Sequence, residues 1–273
     1  MAKTWFITGT SRGFGRVWAE AALARGDQVV ATARDTSALH DLVATHGDQI
    51  LPMRLDIADR GAVFTAVQRV AAHFGGIDVF VNNAGFGSMG TVEEISEAQA
   101  RQQFETNLFG TLWGLQAVAP IMREQGHGHI LAVSSQLGLV SIPTAALYAA
   151  SKWALEGLVQ GFAGEMAPFG VHVTLIEPAG YKTGFYDPDV LVVAPRMSAY
   201  ADVHAGLDKL MSTVEWGVPE ATSDAILAVV DAEQPPLRMI LGQGPLEWIK
   251  GDYAGRLAEF DAWHDVSEAA FGA

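Results

Sequence analysis

The stretch from Trp5 to Arg25 limits this chain's fold more sharply than any other. An apolar strand, Trp5-Phe6-Ile7, runs into Thr8-Gly9-Thr10-Ser11-Arg12-Gly13-Phe14-Gly15, and a helical segment follows from Arg16 to Arg25. A buried strand that passes through glycines into a helix opens a βα unit. The glycines allow a tight turn and close backbone approach. The helix start then presents N–H groups and the positive end of its dipole, a ready seat for a phosphate. The alternation continues. Gln28–Ala33, Ile50–Leu55, Ile77–Val81, Ile130–Val133, Val171–Ile176 and Leu237–Leu241 read as further strands. Helical patterns lie between them, among them Ala62–Phe74, a helix capped by Ser96 and Gln99, and Pro219–Ala232. Strand and helix in turn predict an α/β fold: a doubly wound parallel sheet of about seven strands with helices on both faces. No repeat, low-complexity tract or linker divides residues 1–273, so a single domain is expected.

Charge and composition narrow the function. The formal net charge of −14 argues against binding a phosphate backbone, so no nucleic acid is expected. No apolar run approaches the ~20 residues of a membrane span. The first residues have no signal-peptide layout, and the chain has no cysteine. These features predict a soluble, cytoplasmic protein without disulfides. His127 and His129 stand two apart with no carboxylate beside them, a poor metal site; no metal is expected.

The chemistry centres on Tyr148-Ala149-Ala150-Ser151-Lys152. An Ala- and Leu-rich segment from near Thr144 to Met166 predicts a helix, which puts Tyr148 and Lys152 on one face. A phenol titrates at about 10, and a neighbouring ammonium favours its anion and lowers that value. Such a pair can move a proton near neutrality. Thirteen residues earlier, Ser135 ends the Ile130–Val133 strand, where a hydroxyl can face the ligand crevice of an open α/β sheet.

Taken together, these motifs resemble the short-chain dehydrogenase/reductase family from about residue 4 to 242. The carriers are Thr8-Gly9-x-x-x-Gly13-x-Gly15, Asp56, Asn82-Asn83-Ala84-Gly85, Asn107, Ser135-x-x-Gly138, Tyr148-x-x-x-Lys152 and the turn Pro178-Ala179-Gly180 with Thr183. The resemblance implies a Rossmann-type fold and an oxidoreductase exchanging a hydride between a nicotinamide and a carbonyl or secondary alcohol. Tyr148 would be the acid/base, Ser135 would bond the substrate oxygen, Lys152 would tune Tyr148 and hold the ribose, and Asn107 would sit at a helix irregularity in the proton path. For the cofactor it implies Gly9, Ser11, Arg12, Gly13, Phe14 and Gly15 around the phosphates and Asp56 and Ile57 at the adenine. Asn83, Ala84 and Gly85 would lie behind the cofactor, and Pro178, Gly180 and Thr183 near the nicotinamide and diphosphate. Ala33 stands where NAD-preferring relatives carry an acid, and Arg34 follows it; with Arg12 this predicts NADP(H) over NAD(H), although Asp35 lies one residue further.

After Thr183 the periodicity weakens. Residues from about 184 to 213 predict a mobile lid, with Phe185, Tyr186, Met197, Tyr200 and Met211 as candidate pocket residues. Such an apolar lid points to a hydrophobic small-molecule substrate. The tail, about 244–273, carries Trp248, Tyr253, Phe260 and Trp263 and could cover the pocket or a subunit contact. The resemblance implies a homodimer or homotetramer on the helices containing Asn107–Glu124 and Tyr148–Met166. The alternatives are an epimerase or other family chemistry on the same residues, and an NADP(H)-sensing regulator without turnover.

Overall fold

Strand β1 (Thr4–Ile7) is buried along its whole length and is paired with a strand on each side. Its side chains alternate: Phe6 enters one core, while Trp5 and Ile7 enter the other. A strand covered on both faces reads as a near-continuous apolar run, as Trp5-Phe6-Ile7 does. The computed structural model describes residues 2–188 and 190–272. Its main sheet has seven strands, all pairing in parallel, in the order β3-β2-β1-β4-β6-β7-β9. These are β2 (Gln28–Ala33), β3 (Ile50–Arg54), β4 (Val79–Asn82), β6 (Gly128–Val133), β7 (Val171–Pro178) and β9 (Arg238–Leu241). Pro52 has no N–H to give and lies on β3, an edge strand, where this costs no ladder bond. A separate two-stranded ribbon pairs β5 (Ser88–Met89) with β8 (Val192–Val193). The sequence pattern had not signalled that ribbon, because two residues carry no periodicity.

The chain order reverses at β1. Strands β2 and β3 step to one side, β4 and the rest to the other. Loops leaving the carboxyl ends of β1 and β4 therefore part in opposite directions and leave a crevice between them. One face is covered by α3 (Arg60–Phe74), α5 (Gly110–Gln125) and α6 (Ala146–Met166), with Val67, Leu115, Val118, Leu155 and Val159 packed on Phe6 and Phe80. The other is covered by α1 (Gly13–Ala24), α2 (His40–His46) and α8 (Ser223–Asp231), with Val17, Trp18, Leu42, Ile226 and Val229 on Trp5 and Ile7. The doubly wound single domain expected from the sequence is what forms.

Local signals set most helix ends. Asp59, not Asp56, caps α3 by accepting from the Ala62 N–H. Ser96 and Gln99 close a capping box on α4 (Glu97–Phe104). The catalytic-type helix α6 begins at Ala146, two residues later than expected, because Thr144 adopts a positive φ of 69°. After β7, the chain forms β8, then α7 (Ala201–Ser212); beyond β9 come α9 (Pro245–Ala262) and α10 (His264–Ala269). The expected lid range holds β8 and α7, and Asp189 within it lies outside the described residues. No helix among the described residues is long and apolar enough to cross a membrane.

Candidate active site

The crevice at the carboxyl ends of β1 and β4 is a cavity of about 540 Å³. The glycine turn forms one wall. Gly9 and Gly13 take φ of 72° and 61°, which L side chains rarely adopt. Gly15 is required by contact instead: a Cβ there would stand 2.5 Å from Asn83 Nδ2 and also strike the Gly9 carbonyl oxygen. Gly15 is therefore the one glycine of the turn that lies behind the cavity wall, while Gly9, Ser11, Arg12, Gly13 and Phe14 line it.

Thr8 ties this turn to the end of β4. Its hydroxyl accepts from Asn83 N (2.8 Å) and Ala84 N (3.0 Å), and Asn83 Nδ2 donates to the Thr8 and Gly9 carbonyls. No local sequence pattern signals this role of Thr8's side chain, because the bond joins residues 75 positions apart. Asn83, Ala84 and Gly85 line the cavity, as do Asp56 and Ile57 after β3. Asp56 Oδ1 accepts from Ala58 N at 3.0 Å, which fixes the carboxylate in its own turn.

At the end of β2, Arg34 is exposed and lines the cavity. Asp35 is turned away into a cap: its carboxylate accepts from Ser37 N (2.9 Å) and Ser37 Oγ (2.8 Å), bonds that hold its pKa below the usual carboxylate value. Arg12 approaches Asp187 Oδ2 at 3.5 Å, across the cavity mouth.

Ser135, Tyr148 and Lys152 meet at the far end of the cavity. Lys152 is buried on α6, and its Nζ donates to the Val133 carbonyl at 2.8 Å. Burial lowers its pKa to about 8, opposed by the charge of Glu156. Tyr148 lies one turn earlier, its ring centroid 6.0 Å from Lys152 Nζ. Burial raises the Tyr148 pKa, and a hydrogen bond with Ser135 opposes that rise. The sequence had suggested a phenol lowered by the ammonium. In the folded chain desolvation is the larger effect, and the ammonium's close contact is a backbone carbonyl. Ser135 also caps a short turn by accepting from Leu137 N at 3.1 Å.

Asn107 falls in a π-helical turn, Glu105–Phe109, between α4 and α5. The expected irregularity is thus present, and such bulges often mark functional positions. Asn107 Oδ1 accepts from Phe86 N (3.2 Å), and its Nδ2 donates to Phe86 O (3.0 Å) and Ser151 Oγ (3.1 Å). A Cβ on Gly85 would sit 3.1 Å from Asn107 Oδ1 and 3.7 Å from Lys152 Nζ, so the three groups crowd one spot. Asn107 itself stands behind the lining, as Gly15 does.

The third wall follows β7. Pro178, Gly180 and Thr183 line the cavity, and Thr183 packs against Gly13. Phe185 lies 5.5 Å from the Tyr148 ring, and Tyr186 stacks edge-on to Phe185 and to Trp216. Of the five aromatic and Met candidates, Phe185 and Tyr186 line the cavity; Met197, Tyr200 and Met211 do not. The Met197 N–H donates to Glu94 and the Tyr200 hydroxyl to Glu93, so these two positions secure the segment to the body. Phe86, Leu137, Val190 and Val192 complete the apolar end; the sequence did not single them out, since each looks like an ordinary apolar position.

A glycine turn, a buried Tyr–Lys pair and a Ser at a strand end in one crevice define a nucleotide-cofactor oxidoreductase architecture, and comparison gives the lineage. The family model described as short chain dehydrogenase matches residues 3–189. The chain belongs to the short-chain dehydrogenase/reductase family and is an oxidoreductase of that family. It is 37% identical to oxidoreductase BOA17 of Botryotinia fuckeliana over 99% of this chain and 100% of that one. A crystal structure of a short-chain dehydrogenase from Streptomyces avermitilis superposes with a TM-score of 0.92 at 37% identity, covering 98% of both chains. A short-chain dehydrogenase from Burkholderia cenocepacia, solved in complex with NADP, gives a TM-score of 0.76 at 27% identity over 96% of this chain and 97% of that one.

Proposed function

We propose that the protein is an NADP(H)-dependent oxidoreductase that interconverts a carbonyl and a secondary alcohol on a hydrophobic small molecule. The observation that carries this reading is the convergence of Ser135, Tyr148 and Lys152 on the same crevice as the glycine turn. The residues fit a dinucleotide: the Gly15 contact leaves the backbone room to approach a diphosphate, and the cavity runs from Arg34 to Tyr148. The nicotinamide, when bound, supplies the hydride chemistry.

The chain's own residues do the rest. Gly9, Ser11, Gly13 and Phe14, at the start of α1, would hold the phosphates, and Thr183 closes on them from the opposite wall. Solved relatives hold NADP or NAD, so the preference is argued from this chain. Arg34 faces the cavity while Asp35 is spent on capping, which favours a 2′-phosphate over a bare ribose. In reduction the Tyr148 hydroxyl gives its proton to the substrate oxygen, and in oxidation it takes the proton back. The Ser135 hydroxyl bonds the same oxygen and fixes it beside the phenol. Lys152, held by the Val133 carbonyl, keeps a cation near Tyr148 and offers N–H groups to the ribose. Asn107 holds the Phe86 backbone and Ser151 and so keeps open the space beside Lys152. Phe86, Leu137, Phe185 and Val192 exclude water from the substrate end and select apolar substituents.

The test is fluorescence titration with NADPH and NADH, followed by turnover on a ketone and alcohol panel. A tighter NADPH complex supports Arg34 at the 2′-phosphate; an equal or weaker one removes the NADP(H) assignment. Tyr148→Phe should lower turnover by about 10²–10⁴-fold with NADPH affinity held within a few-fold. Substantial retained turnover would end the acid/base role, and no cofactor binding at all would end the enzymatic reading.

A further inference from the structure

We infer, on the acid/base reading of Tyr148 and Lys152, that Glu156 is a positioning residue for that pair: its buried carboxylate keeps Lys152 in the ammonium form, and Arg238 at the sheet edge keeps the carboxylate ionised. Tyr148, Lys152 and Glu156 follow one another every four residues along α6, and all three are buried. Residues four apart on a helix are neighbours on one face, about 5–6 Å apart at Cβ. Lys152 therefore has the phenol one turn before it and a carboxylate one turn after it. Its other close neighbours are the Val133 carbonyl, Ser135 and Asn107, which carry no charge.

Glu156 is held from three other elements. Arg238 on β9 places its Nε 3.2 Å from Glu156 Oε2, and its Nη2 donates to Gln160 Oε1, one turn further along α6. The turn after Ser135 presses on the same carboxylate: a Cβ on Gly138 would stand 2.5 Å from Ser134 Oγ and 3.1 Å from Glu156 Cγ. From β7, Glu177 competes for Arg238 at 3.4 Å, but burial raises its pKa to about 8, so near pH 7 the guanidinium charge falls mainly to Glu156. From α9, Tyr253 faces this group, with Arg256 beside it and paired to Asp252 at 2.6 Å. Burial pushes the Glu156 pKa up, and Ser134, Arg238 and Lys152 oppose that rise. The lysine gains in return. Burial lowers the Lys152 pKa to about 8, and the charge of Glu156 is what opposes the fall. An opposite charge this near shifts a pKa by about one unit or more. Without it the midpoint would drop to about 7, and the neutral fraction of Lys152 at pH 7 would rise from about a tenth to about a half.

The test reads the lysine directly. Lys3, Lys152, Lys182, Lys209 and Lys250 are the chain's lysines, so carbon-13 NMR of the lysine Cε positions can follow each through a pH titration with no cofactor or substrate added. Lys152→Arg identifies the signal. In Glu156→Gln the Lys152 midpoint should lie about one pH unit below wild type. Glu165→Gln, which removes an exposed carboxylate from the same helix, should leave the midpoint in place. Turnover should follow the charge: Glu156→Gln matches wild type at pH 6 and is about fivefold slower at pH 8. A purely structural role would instead lower turnover equally at every pH and leave the midpoint alone. An unchanged midpoint in folded Glu156→Gln overturns the proposal, whatever the turnover. A lowered midpoint in a chain that turns over nothing supports the Glu156 contact and ends the catalytic reading alone. Should Glu156→Gln not fold, Glu156→Asp keeps a charge for Arg238 while drawing it back by one methylene. Its midpoint should fall between those of wild type and the loss of a full unit, and a midpoint at or above wild type overturns the proposal.

Discussion

Arg238→Met removes the cation held between two buried carboxylates. Arg238 lies on β9 with its Nε 3.2 Å from Glu156 Oε2 and 3.4 Å from Glu177 Oε1. Its Nη2 also donates to Gln160 Oε1 at 2.7 Å. Glu156 and Glu177 are both buried, Glu177 completely. Burial pushes both pKa values up, Glu177 to about 8 with a further contribution from the charge of Glu156. Near pH 7 Glu177 is therefore mostly neutral, and Arg238 serves chiefly Glu156. Breaking a buried ion pair from one side costs about 3–5 kcal/mol. At about 2 °C per kcal/mol for a domain of this size, the melting temperature should drop by ~6–10 °C. The pH dependence follows from the raised pKa. Between the unfolded value of 4.5 and about 8, folded Glu177 keeps its proton while the unfolded carboxyl has lost it. The folded state binds more protons in that window, so this group's contribution to stability declines as the pH rises through it. Without Arg238 the deficit should deepen from pH 6 to 9, as Glu177 loses its proton with no cation beside it. Thermal melts of wild type, Arg238→Met and Arg238→Met/Glu156→Gln at pH 5.5, 7 and 8.5 read this directly, and the added Glu156→Gln should recover much of the loss. A melting-temperature drop under 2 °C, or the same drop at all three pH values, would refute the electrostatic argument and leave only lost packing.

Two further outcomes are expected. Gly15→Ala should weaken NADPH binding at least tenfold and destabilise by about 1–3 kcal/mol, because its Cβ meets the Asn83 amide and the Gly9 carbonyl; Gly157→Ala on α6, whose Cβ meets nothing within 4 Å, is the matched control, and equal behaviour of the two would defeat the close-approach argument. Glu94 is buried; burial pushes its pKa up, but hydrogen bonds from Met197 N, His204 and Thr91 N outweigh that and bring it to about 2. It thus ties the segment before α7 to the body at any pH above about 4.5, weakening only as the pH falls toward 2. Glu94→Gln should raise KM for a bulky apolar substrate several-fold and leave the NADPH affinity alone; an unchanged KM would mean that the segment does not shape the substrate end.

The sequence alone settled whatever local spacing encodes. Strand–glycine–helix order determined the parallel sheet and its doubly wound layers, since apolar runs bounded by turns have few other ways to bury both faces. The same order brought nearly every candidate site residue to one crevice, because loops at the carboxyl ends of neighbouring strands open together. Asn107 and Gly15 were legible as motif positions, but only the folded chain shows that both stand behind the wall, packed against residues distant in sequence. The tertiary structure decided what depends on residues far apart in the chain. Thr8 braces a turn 75 residues away, Arg238 meets Glu156 across 82, and Asp35 turns from the cavity to cap its own helix. It also reversed the expected shift of Tyr148: the charge of a neighbour can be read from an i,i+4 spacing, whereas desolvation depends on everything packed around the ring. Residues 257–271 are the plainest case: Leu257, Phe260, Trp263, Val266 and Phe271 look in sequence like core positions, and only the fold leaves them facing outward.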